Sequence, residues 1–268
     1  MSHTRKTGAY NNKAMKADSG IVCGFCGAHI AGGFIAPDGG AYCCEGCLLK
    51  EKEFRVTQEE RDNAYLALAE TLAAALDIRE RETGLHSKRV ACHTMVLAKH
   101  YTDDSEQLRQ VYWGSLMHDI GKIGIRDAIL NKEGPLTEEE WVEMREHPAK
   151  GHSILSSIQF MKDAADIVLC HEERYDGTGY PRELRGEAIP WGARIFAIID
   201  TLDAMTSNRP YRKALPFESA REEIIRMAGS QFDPEAVETF VSQEKTIKEM
   251  VDMKCQKPHG GTSGKGGG

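Results

Sequence analysis

The sequence predicts an all-α domain preceded by a small cysteine-rich module. Apolar residues recur at helical spacing over most of residues 55–250, and alternating strand patterns are nearly absent outside the cysteine-rich stretch. Five of the eight cysteines fall between Cys23 and Cys47. We therefore expect four segments: a mobile polar N-terminus (1–20), a cysteine-rich module (21–50), a helical domain (55–250) and a disordered glycine-rich tail (255–268).

Length and charge restrict the class of protein. The chain of 268 residues can hold one good-sized domain and a small one, and its formal net charge is -7. An acidic chain of this kind is not suited to broad binding of nucleic-acid polymers or anionic membranes. No apolar run approaches the roughly 20 residues that span a bilayer, and residues 1–20 lack a signal-peptide core. We expect a cytoplasmic protein with reduced thiols and no membrane or nucleic-acid partner.

Capping signals mark the helix starts that we expect. Thr57 with Glu60 forms a capping box, and Thr137 with Glu140 forms a second one that opens a helix running toward the histidine at position 147. Gly84 marks a predicted break. The first box precedes a stripe at helical spacing that we expect to be one face: Tyr65, Leu68, Ala69, Leu72, Ala73 and Leu76.

A further start is predicted near the C-terminus. Asp233 is suited to an N-cap, and Pro234 would occupy the first helical position, where its missing N–H is not needed.

The cysteine spacing predicts one structural zinc ion. Two CxxC pairs, Cys23/Cys26 and Cys44/Cys47, are typical of a tetrahedral thiolate site, and Cys43 is a spare that could replace Cys44. About 30 residues bury little apolar surface, so the metal would drive folding. Reduced structural thiols are the plainer alternative, and a redox role is disfavoured because no βαβ pattern surrounds the pairs. The module is a possible binding site for a protein partner.

Histidines and acids in the helical zone indicate a second metal site. Glu82 and His86 are one helical turn apart and can face the same point. In the adjacent pair His118–Asp119 the carboxylate could bridge two metal ions while the imidazole holds one. Alone, that pair would be read as a buried histidine beside a capping aspartate. The further candidates in the same zone are His147, His171, Glu172 and Asp200.

Three longer motifs carry a family resemblance. They are MHDIGKIGI from Met117, HEERYDGTGYP from His171 and DTLDAMTSNRPYR from Asp200. Together they resemble the HD-GYP family of phosphohydrolases over roughly residues 65–245. The resemblance implies a helical HD-superfamily fold that hydrolyses cyclic di-GMP by a metal-bound hydroxide, with two or three divalent metal ions, often iron or manganese.

The resemblance also implies roles for individual residues. Asp119 would bridge two metal ions, and Lys122 would lie near the reacting phosphate, which makes these two the catalytic candidates. Tyr180, Arg209 and Arg212 would hold the anionic ligand, which an acidic protein binds through a local cationic cluster. The implied metal ligands are Glu82, His86, His118, Asp119, His147, His171 and Asp200.

Glu172 departs from the family pattern, which usually has a second histidine there. A carboxylate can ligate hard ions through oxygen, so we predict that Glu172 is a metal ligand. The departure keeps two other readings open. One is a cyclic-dinucleotide-binding regulator without turnover that acts through the zinc module, and the other is an HD phosphohydrolase acting on another nucleotide.

Overall fold

The computed structural model describes residues 22–29, 34–35, 40–80, 86–208 and 213–253. The described chain is helical almost throughout, which confirms the all-α prediction. It divides into two compact units, Met1–Ala67 and Leu68–Gly268. The predicted N-terminal segment 1–20 and the tail 255–268 lie outside the described residues. Among the helices that are described, none combines the length and apolar character needed to cross a membrane.

The N-terminal unit contains a two-residue hairpin and the start of a long helix. Strand β1 (Phe34–Ile35) pairs antiparallel with β2 (Ala41–Tyr42), with Phe34 opposite Tyr42. Helix α1 (Glu45–Arg79) follows and continues into the second unit. It is unbroken through residues 51–54, which lie between the predicted module and the predicted helical domain.

The helix start predicted at Thr57 is wrong. Thr57 lies inside α1, and its hydroxyl donates to the carbonyl of Glu53 at 2.9 Å. This bond to the preceding turn is the alternative to capping that threonine has within a helix.

The predicted stripe on α1 is correct only in part. Ala69, Ala73 and Leu76 are buried, whereas Leu68 and Leu72 are exposed, as is the stripe's tyrosine at position 65. The buried face is narrower than predicted, because at 100° per residue the two leucines lie to one side of its centre.

The second unit is a bundle of short helices around one buried helix. The helices after α1 are α2 (His86–Ala98), α3 (Ser105–Leu116), α4 (Asp127–Leu130), α5 (Glu138–Met144), α6 (His147–Leu155), α7 (Lys162–Cys170), α8 (Trp191–Thr206), α9 (Phe217–Arg226), α10 (Pro234–Ser242) and α11 (Glu244–Met253).

Helix α8 is the centre of the bundle. It packs against α2, α9 and α10, and also against α3 and α7. Its sequence is mostly apolar, as expected of a helix enclosed by others. Two acids, Asp200 and Asp203, interrupt the apolar run, and Asp203 is buried. A buried carboxylate must be paired, so these acids mark where α8 meets the polar centre of the domain.

Two predicted helix starts are confirmed. Thr137 and Glu140 form a reciprocal capping box at the start of α5. The Asp233 carboxylate accepts from the backbone N–H of Glu235, with Pro234 as the first residue of α10. Helix α5 ends shortly before α6 begins at His147, so the first cap leads the chain to a predicted metal ligand.

Candidate metal centre

Four buried histidines converge from four parts of the second unit. His86 and His147 begin α2 and α6, His118 follows α3, and His171 caps the C-terminal end of α7. In three of them Nδ1 lies within hydrogen-bond distance of the backbone carbonyl three residues earlier: His118 to Ser115 (2.9 Å), His147 to Met144 (2.8 Å) and His171 to Val168 (2.7 Å). An Nδ1–H that donates to a carbonyl leaves Nε2 with its lone pair, which is the arrangement of metal-ligating histidines.

Asp119 connects the histidines. Its Oδ2 lies 2.9 Å from Nε2 of His118. Its Oδ1 lies 3.5 Å from Nε2 of His147 and 3.8 Å from Nε2 of His171. Two groups suited to a metal ion result, His86–His118–Asp119 and Asp119–His147–His171, with the ligand atoms of each within 4.8 Å of one another. A single carboxylate therefore belongs to both groups.

The lowered pKa values of His147 and His171 favour the neutral imidazoles that metal ligation requires. Nε2 of His147 lies 3.0 Å from Nε2 of His171. Burial, and then the charge of His171, lower the pKa of His147 to about 3, and burial also lowers that of His171. Two neutral imidazoles that aim their lone pairs at each other are suited to a cation. Burial alone would lower the pKa of His118, but the charge and hydrogen bond of Asp119 raise it to about 9, so a metal ion would displace a proton there.

Asp203 orients His86, a role that the sequence analysis missed. Its Oδ2 lies 2.8 Å from Nδ1 of His86, so that Nε2 of His86 points toward Asp200, 3.5 Å from its Oδ1. Arg89 holds Asp203 from the other side with bonds of 2.7 and 2.8 Å. Burial raises the pKa of Asp203, but the hydrogen bonds from His86 and Arg89 outweigh it and lower the pKa. A carboxylate behind a ligating histidine fixes its tautomer and raises its basicity.

Lys122 lies between two carboxylates. Its Nζ is 2.7 Å from Oδ2 of Asp119 and 2.9 Å from Oε2 of Glu80. Burial would lower the pKa of Lys122, but the charges of both acids raise it, so the side chain is an ammonium ion. Arg79 secures the backbone of this segment by donating to the carbonyls of Lys122 and Ile125 at 2.7 and 2.6 Å. The end of α1 thus positions Lys122, and the sequence analysis had not assigned Glu80 or Arg79.

The close packing of Gly121 sets the distance between the two histidine groups that share Asp119. A Cβ on Gly121 would come within 1.8 Å of the carbonyl oxygen of His147 and 2.5 Å of the nitrogen of Gly151. Only glycine permits this approach, which packs the short 3-10 helix Ile120–Gly124 against α6. The approach brings His147 to Asp119.

The Gly-Tyr-Pro segment forms a fixed turn beside the centre. Gly179 has no room for a side chain, because a Cβ there would lie 2.3 Å from the nitrogen of Arg174. The buried carboxylate of Glu173 accepts from the backbone N–H groups of Arg182 and Leu184 at 2.7 and 3.0 Å. The ring of Tyr180 meets that of His147 edge to face, with centroids 6.4 Å apart.

The remaining predicted residues differ in how far the structure describes them. Glu172 has a side chain that is 42% exposed, and its Oε1 lies 4.0 Å from Nε2 of both His147 and His171. It is therefore at the edge of the second group. Glu82, Arg209 and Arg212 lie outside the described residues, as does Gly84.

The N-terminal cysteines form a third cluster. The sulfur atoms of Cys23, Cys26, Cys43 and Cys47 lie within 4.8 Å of one another. Cys44, which the sequence analysis preferred as a ligand, is outside this group, and its alternative Cys43 is inside.

The sequence of this chain is similar to a known protein family. An HD-domain family model matches residues 48–236, which is well over half of the chain. The chain belongs to the HD-domain family. The resemblance inferred from the MHDIGKIGI and HEERYDGTGYP motifs is confirmed, and the helical HD-domain fold accounts for the convergence of histidines on one aspartate.

The chain is also similar to individual proteins that are named as phosphodiesterases. A cyclic di-GMP phosphodiesterase of Thermotoga maritima is 36% identical over 221 residues, covering 82% of this chain and 59% of that protein. A 3'3'-cGAMP-specific phosphodiesterase of Vibrio cholerae is 39% identical over 176 residues, covering 65% of this chain and 34% of that protein. This chain thus spans less than two thirds of the length of either relative.

A solved structure shares the fold. The crystal structure of a cyclic GMP-AMP specific phosphodiesterase of V. cholerae superposes with a TM-score of 0.54 at 20% identity, covering 69% of this chain and 49% of that one. At this identity the likeness concerns the HD-domain fold.

Proposed function

We propose that this chain is a metal-dependent phosphodiesterase that hydrolyses a cyclic dinucleotide, with cyclic di-GMP as the leading substrate. The observation that carries the proposal is the Asp119 carboxylate, whose two oxygens face different sets of histidines. This is the donor arrangement of two-metal phosphoester hydrolysis. The names of relatives at 36% and 39% identity supply the substrate class.

The two groups would each hold one divalent ion, with Asp119 common to both. Asp200 would complete the first group and Glu172 the second, with Glu82 as a further ligand. Mixed imidazole and carboxylate donors suit iron or manganese. Such ions supply Lewis-acid charge and lower the pKa of a water molecule enough for it to attack a phosphodiester near neutral pH.

The protein's own groups would bind and orient the substrate. The Lys122 ammonium, held beside Asp119, is suited to stabilise negative charge that gathers on the phosphoryl oxygens. Tyr180 presents its ring beside His147, where it could contact a nucleobase or sugar. Arg209 and Arg212 are the candidates for the cationic contacts to the second phosphate.

Two observations keep other functions in view. Relatives named as 3'3'-cGAMP-specific phosphodiesterases favour a mixed cyclic dinucleotide as the competing substrate. The exposed position of Glu172, where the family usually has histidine, favours a binding protein without turnover. We also propose a cytoplasmic location, which suits the seven cysteines that are free thiols among the described residues.

One assay separates these functions. The purified chain is stripped of metal, reloaded with manganese or iron(II), and incubated with cyclic di-GMP and with 3'3'-cGAMP in parallel. We expect linear or mononucleotide products from cyclic di-GMP only after reloading. Faster turnover of 3'3'-cGAMP would replace cyclic di-GMP as the proposed substrate and leave the enzymatic function in place. Tight binding of cyclic di-GMP without product from either substrate would contradict the enzymatic function.

A further inference from the structure

The N-terminal unit has too small a core to fold without further support. Its buried hydrophobic residues within the described part are Cys23, Tyr42 and Leu48, and two of the partly buried groups against them are Cys43 and Cys47. Units of this size usually depend on a metal or on disulfides. All four clustered cysteines are free thiols.

The sulfur positions match a tetrahedral zinc site. Zinc binds thiolate at about 2.3 Å, which places neighbouring sulfur atoms of a tetrahedron about 3.8 Å apart. The Cys43 sulfur lies 3.4 Å from that of Cys47 and 3.7 Å from that of Cys26. Cys23 completes a set in which every pair is within 4.8 Å.

Backbone hydrogen bonds fix the turn between Cys23 and Cys26 and join it to the strand that precedes Cys43. Between Cys23 and Cys26 the chain turns tightly, with the N–H of Gly27 donating to the carbonyl of Cys23 at 3.0 Å and Gly27 at φ +70°. Such a turn needs a residue that tolerates positive φ. The N–H of Gly24 donates to the carbonyl of Ala41 at 2.8 Å, which ties the turn to the hairpin strand that leads to Cys43.

Cys44 has a different position. Its carbonyl accepts from the N–H of Cys47 at 3.1 Å and from that of Leu48 at 3.4 Å, so it forms the first turn that leads into α1. Its side chain is exposed and lies over Gly46, where a Cβ would be 3.7 Å from the Cys44 sulfur. The Cys44 sulfur lies 4.0 Å from that of Cys43 but outside the group of four, whereas the Cys43 sulfur lies 3.4 Å from that of Cys47.

We propose that Cys23, Cys26, Cys43 and Cys47 bind one structural zinc ion, and that Cys44 lies outside the site as the cap of α1. The ligand spacing is therefore CxxC followed by CxxxC, with the last ligand in the first turn of the helix. Four thiolates close the coordination sphere and leave no position for chemistry.

Two matched serine substitutions in the chain of 268 residues test this ligand set. Cys44→Ser should keep one zinc ion per chain that X-ray absorption shows bound by four sulfurs at about 2.3 Å, since serine is also a good N-cap. Cys43→Ser should release that ion to a chelator at a concentration at least tenfold lower. Zinc loss from Cys44→Ser, or fewer than four sulfur ligands in it, would overturn the assignment.

Cys23→Ser provides the test of the site itself. It removes a buried ligand common to either choice of the fourth cysteine, so about one zinc ion per chain should be lost. Zinc content and four-sulfur coordination that remain as in the parent chain would refute a zinc site at these cysteines. X-ray absorption on the parent chain tests the site without any variant. Zinc bound through nitrogen and oxygen alone would contradict the proposal.

Discussion

Oδ2 of Asp203 lies 2.8 Å from Nδ1 of His86, and this bond points the other ring nitrogen of His86 toward the metal centre. Asp203 makes its second contact with Arg89, which binds both carboxylate oxygens. The buried side chains of Asp203 and His86 and the half-buried Arg89 form a row that ends at His86, a predicted metal ligand. Disrupting this row should therefore change metal affinity, although Asp203 and Arg89 are not among the predicted metal ligands.

Asp203→Asn should weaken metal binding about 10- to 100-fold, the usual effect of losing the carboxylate behind a ligating histidine. It should also destabilise the metal-free fold by roughly 1–3 kcal/mol, because Arg89 loses its charged partner. Chelator competition and urea unfolding measure the two effects. The control is Asp163→Asn, an exposed carboxylate on α7. Equal metal affinity in both variants would contradict the role of Asp203.

Sequence motifs predicted the centre but not its supports. His118 and Asp119 are adjacent, and His171 opens a long motif, so linear patterns were sufficient to find them. Asp203 is 117 residues from His86 and 114 from Arg89. No local pattern reports a contact over such a separation, although the acid interrupting the apolar run of α8 was a signal that could have been used.

Local sequence patterns also failed near the start of α1, where the course of the helix decides which residues cap it or face the cysteine cluster. The Thr57–Glu60 pattern has the letters of a helix start, but α1 had already begun at Glu45. The preference for Cys44 over Cys43 followed the regular CxxC spacing. The structure instead groups the Cys43 sulfur, and not that of Cys44, with the other three, and Cys44 lies in the turn that opens α1.

Gly121→Ala should separate the two halves of the centre. The added methyl group would overlap the backbone of α6, so we expect a loss of about 3 kcal/mol in unfolding free energy and loss of metal from the group that contains His147. Gly124→Ala is a matched control on the same 3-10 helix, since its Cβ meets only the flexible side chain of Lys150 at 3.0 Å. Urea unfolding and elemental analysis compare the two. A stable, metal-replete Gly121→Ala chain would show that the close approach is not needed.

Glu172 is predicted to ligate the second ion through oxygen. Glu172→Ala should lower metal occupancy and turnover together, on the order of 10-fold in metal affinity. Glu172→His should restore occupancy, with a preference shifted away from the harder ions such as manganese. Metal titrations with manganese and with iron(II) distinguish the variants. If Glu172→Ala keeps the parent's stoichiometry and rate, the residue is a solvated acid beside a two-metal centre.

Asp119→Ala is the most direct test of the shared carboxylate. Elemental analysis and cyclic di-GMP turnover are measured on the same samples of the parent, the variant and Asp166→Ala, a control that removes an exposed aspartate 3.6 Å from His152. The account predicts that Asp119→Ala retains its helical fold, loses metal from both histidine groups, and loses at least about 100-fold in turnover, while Asp166→Ala matches the parent. Near-parental turnover with full metal content in Asp119→Ala would contradict it.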